Sequence, residues 1–134
     1  MNKLCCELLL FFTFARSFTT ISETIAEKAG IPSGVIEITD YGLKLIIDRH
    51  SVELEQMGLE PYDYVKHIAS NFNQIRKGTG DSLLLVVFRK NISDVAAIDL
   101  SYNGKSWIVK TAQPRAYKNI VKNKLLWDCC PSIR

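Results

Sequence analysis

One histidine and a late cluster of polar side chains are the residues of this chain best suited to chemistry. His50 lies within a helix-like stretch, while Lys110, Thr111 and Arg115 follow one another at the end of a strand-like stretch. An imidazole transfers protons near neutral pH, and cations and hydroxyls bind phosphoryl oxygens. These residue types together suit the cleavage of a phosphodiester by general acid–base catalysis.

The position of His50 in its helix indicates where its side chain points. Apolar residues at helical spacing predict a helix over residues 40–57. His50 lies four residues after Ile46 and four before Leu54, on the side of the helix that packs against the rest of the protein. We therefore predict that His50 is the proton-transfer residue and that it lies close to Thr111. An ordinary core or rim histidine is the alternative.

Other residues are predicted to bind the substrate or to assist the reaction. Arg115 follows a proline in a predicted loop, and we group it with His50 and Thr111 as catalytic. His67 lies at the border of the apolar stripe of the next helix and is a candidate substrate ligand. The remaining candidates for substrate binding are basic or aromatic: Arg49, Lys110, Tyr117 and Lys118. Each of these side chains also fits a solvated or simply packed surface position.

The distribution of charge favours a polyanionic partner. The 134-residue chain suits a single hydrophobic core, and its net charge is only +3. Residues 101–134, however, carry seven basic residues and one acidic residue, a net charge of +6, so residues 1–100 carry −3. A basic end on a mildly acidic body is typical of proteins that bind nucleic acid. A lysine-rich end that merely aids solubility is the alternative.

Other classes of site find little support in the sequence. We find no glycine-rich phosphate loop, no H-E-x-x-H, no G-x-S-x-G and no clustered carboxylates, so we expect neither metal nor cofactor. The cysteines form adjacent pairs, Cys5-Cys6 and Cys129-Cys130, which favours reduced thiols and a cytoplasmic protein. Secretion or delivery into a target cell stays open. The apolar run Leu8–Phe14 is too short to span a membrane.

The elements that must position these residues are predicted from hydrophobic periodicity and turn signals. Helices are expected at residues 22–29, 40–57 and 61–77, and strands at 35–38, 82–88, 95–102 and 106–111. Asn103-Gly104 predicts the hairpin turn before the last of these strands. We therefore expect an α+β fold in which N-terminal helices pack on a C-terminal antiparallel sheet. Residues 1–30 would be a helical extension and residues 31–134 the functional domain.

The late segment GKSWIVKTAQPRAYKNIVKNKLLW, residues 104–127, and the Asp48-Arg49-His50 helix also carry a family resemblance. They resemble the barnase–EndoU–colicin–RelE group of metal-independent ribonucleases, most closely its phage-associated and polymorphic-toxin branch. The resemblance covers roughly residues 35–128. It implies the nuclease fold of that group, and it places proton transfer on His50 and phosphate binding on Thr111 and Arg115.

The resemblance further implies an endoribonuclease toxin domain of phage or prophage origin. RNA would be cut by attack of its own 2′-hydroxyl, leaving a 2′,3′-cyclic phosphate. A neutralising immunity or antitoxin protein would be a partner, and the N-terminal segment would associate with, or be fused to, a phage protein. A catalytically degenerate module of the same fold, which binds nucleic acid or serves a structural or interaction role in a phage, is the alternative function.

Overall fold

A computed structural model of the chain describes residues 15–130. Seven strands and four helices lie within that range. In chain order they are β1 (Ala15–Ile21), α1 (Glu23–Ala29), β2 (Gly34–Thr39), α2 (Asp40–Gln56), α3 (Pro61–Asn71), β3 (Gln74–Lys77), β4 (Leu83–Phe88), β5 (Ile92–Leu100), β6 (Ser106–Ala116), α4 (Tyr117–Ile120) and β7 (Leu125–Asp128).

The strands form one mixed sheet in the order β1-β2-β6-β5-β4-β3-β7. β2 and β6 run parallel, and every other neighbouring pair is antiparallel. The sheet curls into a half-barrel. Its apolar core lies between the sheet and the helices, and α2 and α3 contribute the buried side chains Ile46, Leu54, Tyr64, Val65 and Ile68.

The predicted fold class, with N-terminal helices packed on a C-terminal antiparallel sheet, is wrong. Strands account for 40% of the structure against 34% for helices, and the helices are interspersed with the strands rather than gathered before them. The reason is that β1 and β2, from the N-terminal part of the chain, join the sheet, and β2 does so in parallel with β6. Of the predicted helical extension, residues 1–14 lie outside the described range, and residues 15–30 contain β1 and α1.

Two predicted helix starts are confirmed by their caps. The side chain of Ser22 accepts a hydrogen bond from the backbone N–H of Ile25 at 3.2 Å, and α1 ends at Gly30 in the left-handed conformation. The side chain of Thr39 accepts from the backbone N–H of Gly42 at 3.0 Å and starts α2 directly after β2. The sequence signals that place α1 and α2 are therefore local ones.

The predicted helix over residues 61–77 is too long. α3 ends at Asn71, and residues 74–77 form β3, which pairs with β4. The transition is held by Asn73, whose side-chain oxygen accepts from the backbone N–H of Phe88 at 2.8 Å. Phe72 and Ile75 keep helical spacing, but Phe72 packs edge-on against Trp127 instead of continuing a helical stripe. Pairing with a distant strand thus overrides the local pattern.

β6 is longer than predicted and contains a bulge. Its pairing with β5 passes from Val109 opposite Ile98 to Thr111 opposite Ala97, which leaves Lys110 as the extra residue. Strict alternation from Trp107 and Val109 would bury Thr111, but the structure buries Ala112 and leaves Thr111 half-buried. The bulge therefore changes the direction of the Thr111 side chain.

The strand then runs through Pro114, which lies opposite Asp94 in the β5–β6 ladder. Pro114 has no N–H, but it is tolerated because β2 pairs with β6 only from Ser106 to Ile108, and no other strand among residues 15–130 pairs with this side of β6. Arg115 consequently lies in a strand, opposite Ser93. Its predicted position in a loop is wrong.

Candidate functional site

His50 and Thr111, which are 61 residues apart in the chain, meet between α2 and β6. His50 Nε2 lies 3.5 Å from Thr111 Oγ1, and His50 Nδ1 lies 3.2 Å from Glu53 Oε1. We call these three side chains the His50 site. Hydroxyl, imidazole and carboxylate therefore follow one another in a row, with the imidazole in the middle.

The Glu53 carboxylate determines which nitrogen of His50 carries the proton in the neutral ring. An ionised carboxylate only accepts hydrogen bonds, so Nδ1 must be the N–H that donates to Glu53. Nε2 is then left with its lone pair facing the Thr111 hydroxyl, which can donate to it. A neutral imidazole held in this tautomer is the form that accepts a proton in general base catalysis.

The chain positions these residues through the junction of β2, α2 and β6. α2 begins where β2 ends, so it lies beside the part of β6 that β2 leaves without a strand neighbour. The approach is close, since a Cβ on Gly42 would lie 3.2 Å from the carbonyl oxygen of Val109. The bulge at Lys110 then directs Thr111 toward the helix.

The His50 site is open to solvent on one side. The side chain of His50 retains 14% of its exposure and that of Glu53 retains 51%. A small part of the His50 side chain is therefore in contact with solvent. The long 3.5 Å contact with Thr111 leaves room for the Thr111 hydroxyl to change partner when a substrate arrives.

A second polar cluster surrounds Asp94, a carboxylate that is almost fully buried. Asp94 Oδ1 accepts from the Tyr64 hydroxyl at 2.8 Å and from Arg89 Nη2 at 3.0 Å, and Asp94 Oδ2 lies 3.8 Å from His67 Nε2. We call these four residues the Asp94 cluster. Burial and the charge of Asp94 raise the pKa of Tyr64 well above its usual value. Tyr64 therefore stays a hydrogen-bond donor at any physiological pH.

The Asp94 cluster lies near the His50 site. The negative charge of Glu53 also contributes to the raised pKa of Tyr64, so the Glu53 carboxylate is within electrostatic range of the cluster. Asp94 is paired with Pro114 and Thr111 with Ala97, so the two sites are three residues apart along the β5–β6 ladder. At the usual rise per residue this separation is about 10 Å.

The structure separates most of the other predicted site residues from His50. Arg115 is half-buried and lies four residues beyond Thr111 on β6, about 13 Å along the strand. Lys110 is exposed and its Nζ lies 3.8 Å from Asp99 Oδ2. Arg49, next to His50 on α2, and Lys118, in α4, are both exposed. His50 and Thr111 are thus the predicted catalytic pair that the fold brings together.

Tyr117 belongs to a buried polar network that sequence reasoning missed. Arg76, only 5% exposed, donates to Gln74 Oε1 at 3.0 Å, to the carbonyl oxygens of Val121 and Asn123 at 3.2 and 2.7 Å, and to the Tyr117 hydroxyl at 2.9 Å. Gln74 in turn donates to Asp128 at 3.2 Å. We call Gln74, Arg76, Tyr117 and Asp128 the Arg76 network; it ties β3 to α4 and β7.

Among residues 15–130 no group of three or more His, Cys, Asp or Glu side chains is arranged to hold a metal ion. In the same range no helix combines the length and the apolar character needed to cross a membrane. Comparison with protein-family models, with curated proteins and with solved structures returned no match.

Proposed function

We propose that the protein is a metal-independent endoribonuclease that cuts RNA at the His50 site. The observation that carries the proposal is the contact of His50 Nε2 with Thr111 Oγ1 at 3.5 Å, on a ring whose other nitrogen faces Glu53 at 3.2 Å. The proton acceptor and the hydroxyl donor therefore lie close enough together to act on the same phosphate group. The basic C-terminal third supports a polyanionic substrate.

In the proposed reaction the RNA 2′-hydroxyl takes the place of Thr111 as the partner of His50 Nε2. His50 accepts its proton, the 2′-oxygen forms a bond to phosphorus, and the bond from phosphorus to the 5′-oxygen breaks. The departing oxygen takes up a proton from solvent on the open side of the site, and a 2′,3′-cyclic phosphate remains. The Thr111 hydroxyl, now free of the imidazole, donates to a phosphoryl oxygen as charge develops there.

Glu53 and Arg89, which the structure places at the two polar clusters, and the remaining predicted residues have secondary roles in this proposal. Glu53 holds the imidazole in the reactive tautomer. Arg115 and Lys110 bind phosphates on either side of the cleaved one, while His67 and Arg89 present nitrogen donors to the substrate beside the buried Asp94 carboxylate. Arg49, Tyr117 and Lys118 are proposed as contacts to more distant nucleotides.

The biological setting rests on the family resemblance of residues 35–128 rather than on the site. It favours a toxin domain of phage origin that acts in the cytoplasm, with a neutralising immunity protein as partner and a phage protein as the associate of the N-terminal segment. Such a partner would be expected to cover the open side of the His50 site, because that is where inhibition needs the fewest contacts.

The direct test compares the wild-type protein with His50→Ala on total RNA in the presence of a chelator. We expect discrete cuts by the wild type and a loss of at least about 100-fold in rate for the variant, the size of a lost general base. Gln56→Ala, at the end of the same helix, is the matched control and should cut at the wild-type rate. Thermal melts of all three proteins check that the fold is retained.

The same experiment separates the proposal from its alternative. A module that binds nucleic acid without cutting it would bind RNA in a salt-dependent manner and give no new ends. Equal cutting by wild type and His50→Ala would instead show that the activity belongs to another site or to a contaminant.

A further inference from the structure

A second recess on the protein, away from the His50 site, has the composition of a nucleotide-binding site. It has a volume of about 610 Å³ and lies between the turn that joins β4 to β5 and the start of α4. Its lining includes two lysines, an amide, an aromatic ring and two aliphatic side chains, namely Lys90, Lys118, Asn91, Tyr117, Ile92 and Val121. We call it the Lys90 cavity.

The charge of its lining distinguishes the Lys90 cavity from two other recesses of similar size. A cavity of about 510 Å³ at the start of α3 has acidic residues, Glu55 and Glu60, as its charged lining. A cavity of about 760 Å³ at the other end of β6 balances two lysines against two aspartates, Lys77, Lys124, Asp81 and Asp99. Among the residues that line the Lys90 cavity the only charged groups are cations, so it alone of the three suits a phosphate.

The apolar part of the lining suits a nucleobase. Ile92 is 52% exposed and Val121 is 49% exposed, although both are large aliphatic side chains. They flank the ring of Tyr117, whose hydroxyl is already bonded to Arg76. The ring of Tyr117 also packs edge-on with Phe88, their centroids 4.5 Å apart, so Tyr117 offers a base only the rest of its ring and not its hydroxyl. A volume of about 610 Å³ lies within the usual range for small-molecule sites, about 300–1,000 Å³.

The backbone at Lys90 provides an independent observation. Lys90 has φ of +41°, and it is the only residue other than glycine with positive φ between residues 15 and 130. Glycine or asparagine adopts that conformation at lower cost, and strained positions of this kind cluster at functional sites. A lysine at this point of the β4–β5 turn places a cation at the mouth of the cavity.

The Lys90 cavity and the His50 site lie on the same strand. Ala116, which lines the cavity, is five residues beyond Thr111 on β6, or about 16 Å along the strand. Arg115 lies between them and provides a further cation on the way. Along β6 the cavity is thus a few nucleotide lengths from Thr111, on the sheet face where Tyr117 and Ile120 pack, opposite the face that α2 covers.

We infer that the Lys90 cavity binds one nucleotide of a single-stranded RNA, with the two lysines on its phosphate and with Tyr117, Ile92 and Val121 against its base. This inference rests on the proposed ribonuclease function for the identity of the polymer. It adds a subsite, formed by Lys90, Asn91, Ile92 and Val121, that extends contact with the substrate beyond the reacting groups.

The test measures binding rather than cleavage. A fluorescent oligoribonucleotide of about eight residues, made uncleavable by 2′-O-methyl groups, is titrated with wild type, with Lys90→Gln/Lys118→Gln, and with the control Lys28→Gln/Lys105→Gln, whose lysines lie elsewhere on the surface. We expect the cavity variant to bind at least about tenfold more weakly. Its slope of log Kd against log salt should be smaller by about 0.7, the value for one neutralised phosphate of a single strand. The control should keep an affinity within about twofold of wild type.

A second arm distinguishes a nucleotide from a bare phosphate. Val121→Asn should weaken binding of the oligoribonucleotide by at least about threefold and leave binding of a polyphosphate chain of equal charge unchanged. Equal affinities of wild type and the lysine variant for the oligoribonucleotide would overturn the subsite, and an effect of Val121→Asn on neither ligand would reduce it to an anion site. If wild type cuts no RNA but the lysine variant loses affinity, the ribonuclease proposal fails while the subsite stands.

Discussion

The Arg76 network and the His50 site are both made of polar side chains. They differ in how many of their hydrogen-bonding groups are bonded to other groups of the protein. Arg76 is 5% exposed and gives four hydrogen bonds to protein oxygens. The imidazole of His50 has one partner on each nitrogen, at 3.2 and 3.5 Å, and stays open to solvent on one side. Protein oxygens therefore already accept the hydrogen bonds of Arg76, whereas the imidazole of His50 can still bond to a ligand.

This difference predicts which substitutions should change the free energy of unfolding and which should change the rate of the reaction. A buried polar group whose partners are all supplied by the protein fixes the arrangement of the elements that carry those partners. The partly exposed imidazole, with contacts of 3.2 and 3.5 Å, contributes little to holding α2 on β6, because the buried Ile46 and Leu54 already do so. Substitutions in the Arg76 network should therefore lower the free energy of unfolding, whereas substitutions in the His50 site should leave it nearly unchanged and impair the reaction.

The largest effect is expected from Arg76→Leu. The variant leaves the Gln74 amide oxygen, the Tyr117 hydroxyl and two backbone carbonyl groups without their buried donor. Each orphaned group costs about 1–3 kcal/mol, so we expect a loss of at least about 3 kcal/mol in the free energy of unfolding, measured with urea. Lys28→Leu, at an exposed helical position, is the control. A loss under about 1 kcal/mol would contradict the structural role of the network.

A smaller loss is expected from Tyr64→Phe in the Asp94 cluster. The variant removes the 2.8 Å hydrogen bond to a buried carboxylate, which should lower the free energy of unfolding by about 1.5–3 kcal/mol. Tyr102→Phe removes a hydroxyl from a fully exposed side chain and should change the free energy of unfolding by less than about 0.5 kcal/mol. Urea titrations of the two variants at neutral pH give the comparison. Equal stabilities would show that the Tyr64 hydroxyl contributes nothing to holding Asp94.

The raised pKa of Tyr64 also predicts a dependence of stability on alkaline pH. The folded protein keeps this proton above pH 10.0, the ordinary pKa of tyrosine, where the unfolded chain releases it. Fewer protons on the unfolded chain mean that the free energy of unfolding falls as pH rises, by up to about 1.4 kcal/mol per pH unit from this group. Between pH 10 and 11 the free energy of unfolding should therefore fall less steeply for Tyr64→Phe than for Tyr102→Phe. Parallel declines would show that Tyr64 titrates alike in both states.

The smallest effect is expected from Thr111→Val, which keeps the branched shape and removes the hydroxyl. Stability should change by less than about 1 kcal/mol because Thr111 is only half-buried. RNA cleavage should slow about tenfold, since one ordinary hydrogen bond contributes about 1 kcal/mol and a factor of ten in rate is about 1.4 kcal/mol. Thr111→Ser keeps the donor and should retain most of the rate. If valine and serine variants cut equally fast, the hydroxyl takes no part in the reaction.

Local signals in the sequence were sufficient for part of the fold. Ser22 and Gly30 delimit α1, Thr39 starts α2, and Asn103-Gly104 forms the turn before β6. These residues act through hydrogen bonds or backbone conformations within a few positions of themselves. The expected proximity of His50 to Thr111 followed from the apolar face of α2, and the structure places the two side chains 3.5 Å apart.

The features that sequence reasoning missed depend on contacts between distant segments. Gln74 and Arg76 alternate with Ile75 as in a strand, but Phe72 and Ile75 also fit the helical spacing of α3. Only the pairing of β3 with β4 decides between the two patterns. The bulge at Lys110 arises from the register between β5 and β6 and has no mark in the sequence of β6 alone. The acidic residue Asp94, directly before the apolar residues Val95 to Ile98 of β5, is a usable signal for a buried and partnered carboxylate.

The central claim, that the His50 site cleaves RNA through its 2′-hydroxyl, is tested most directly with a DNA oligonucleotide that contains one ribonucleotide. Wild-type protein in the presence of a chelator is predicted to cut this substrate at the ribonucleotide and to leave a 2′,3′-cyclic phosphate. The same oligonucleotide with a 2′-deoxy or 2′-O-methyl group at that position should stay intact. Cutting of the 2′-deoxy substrate at an equal rate, or no cutting of any RNA, would contradict the account.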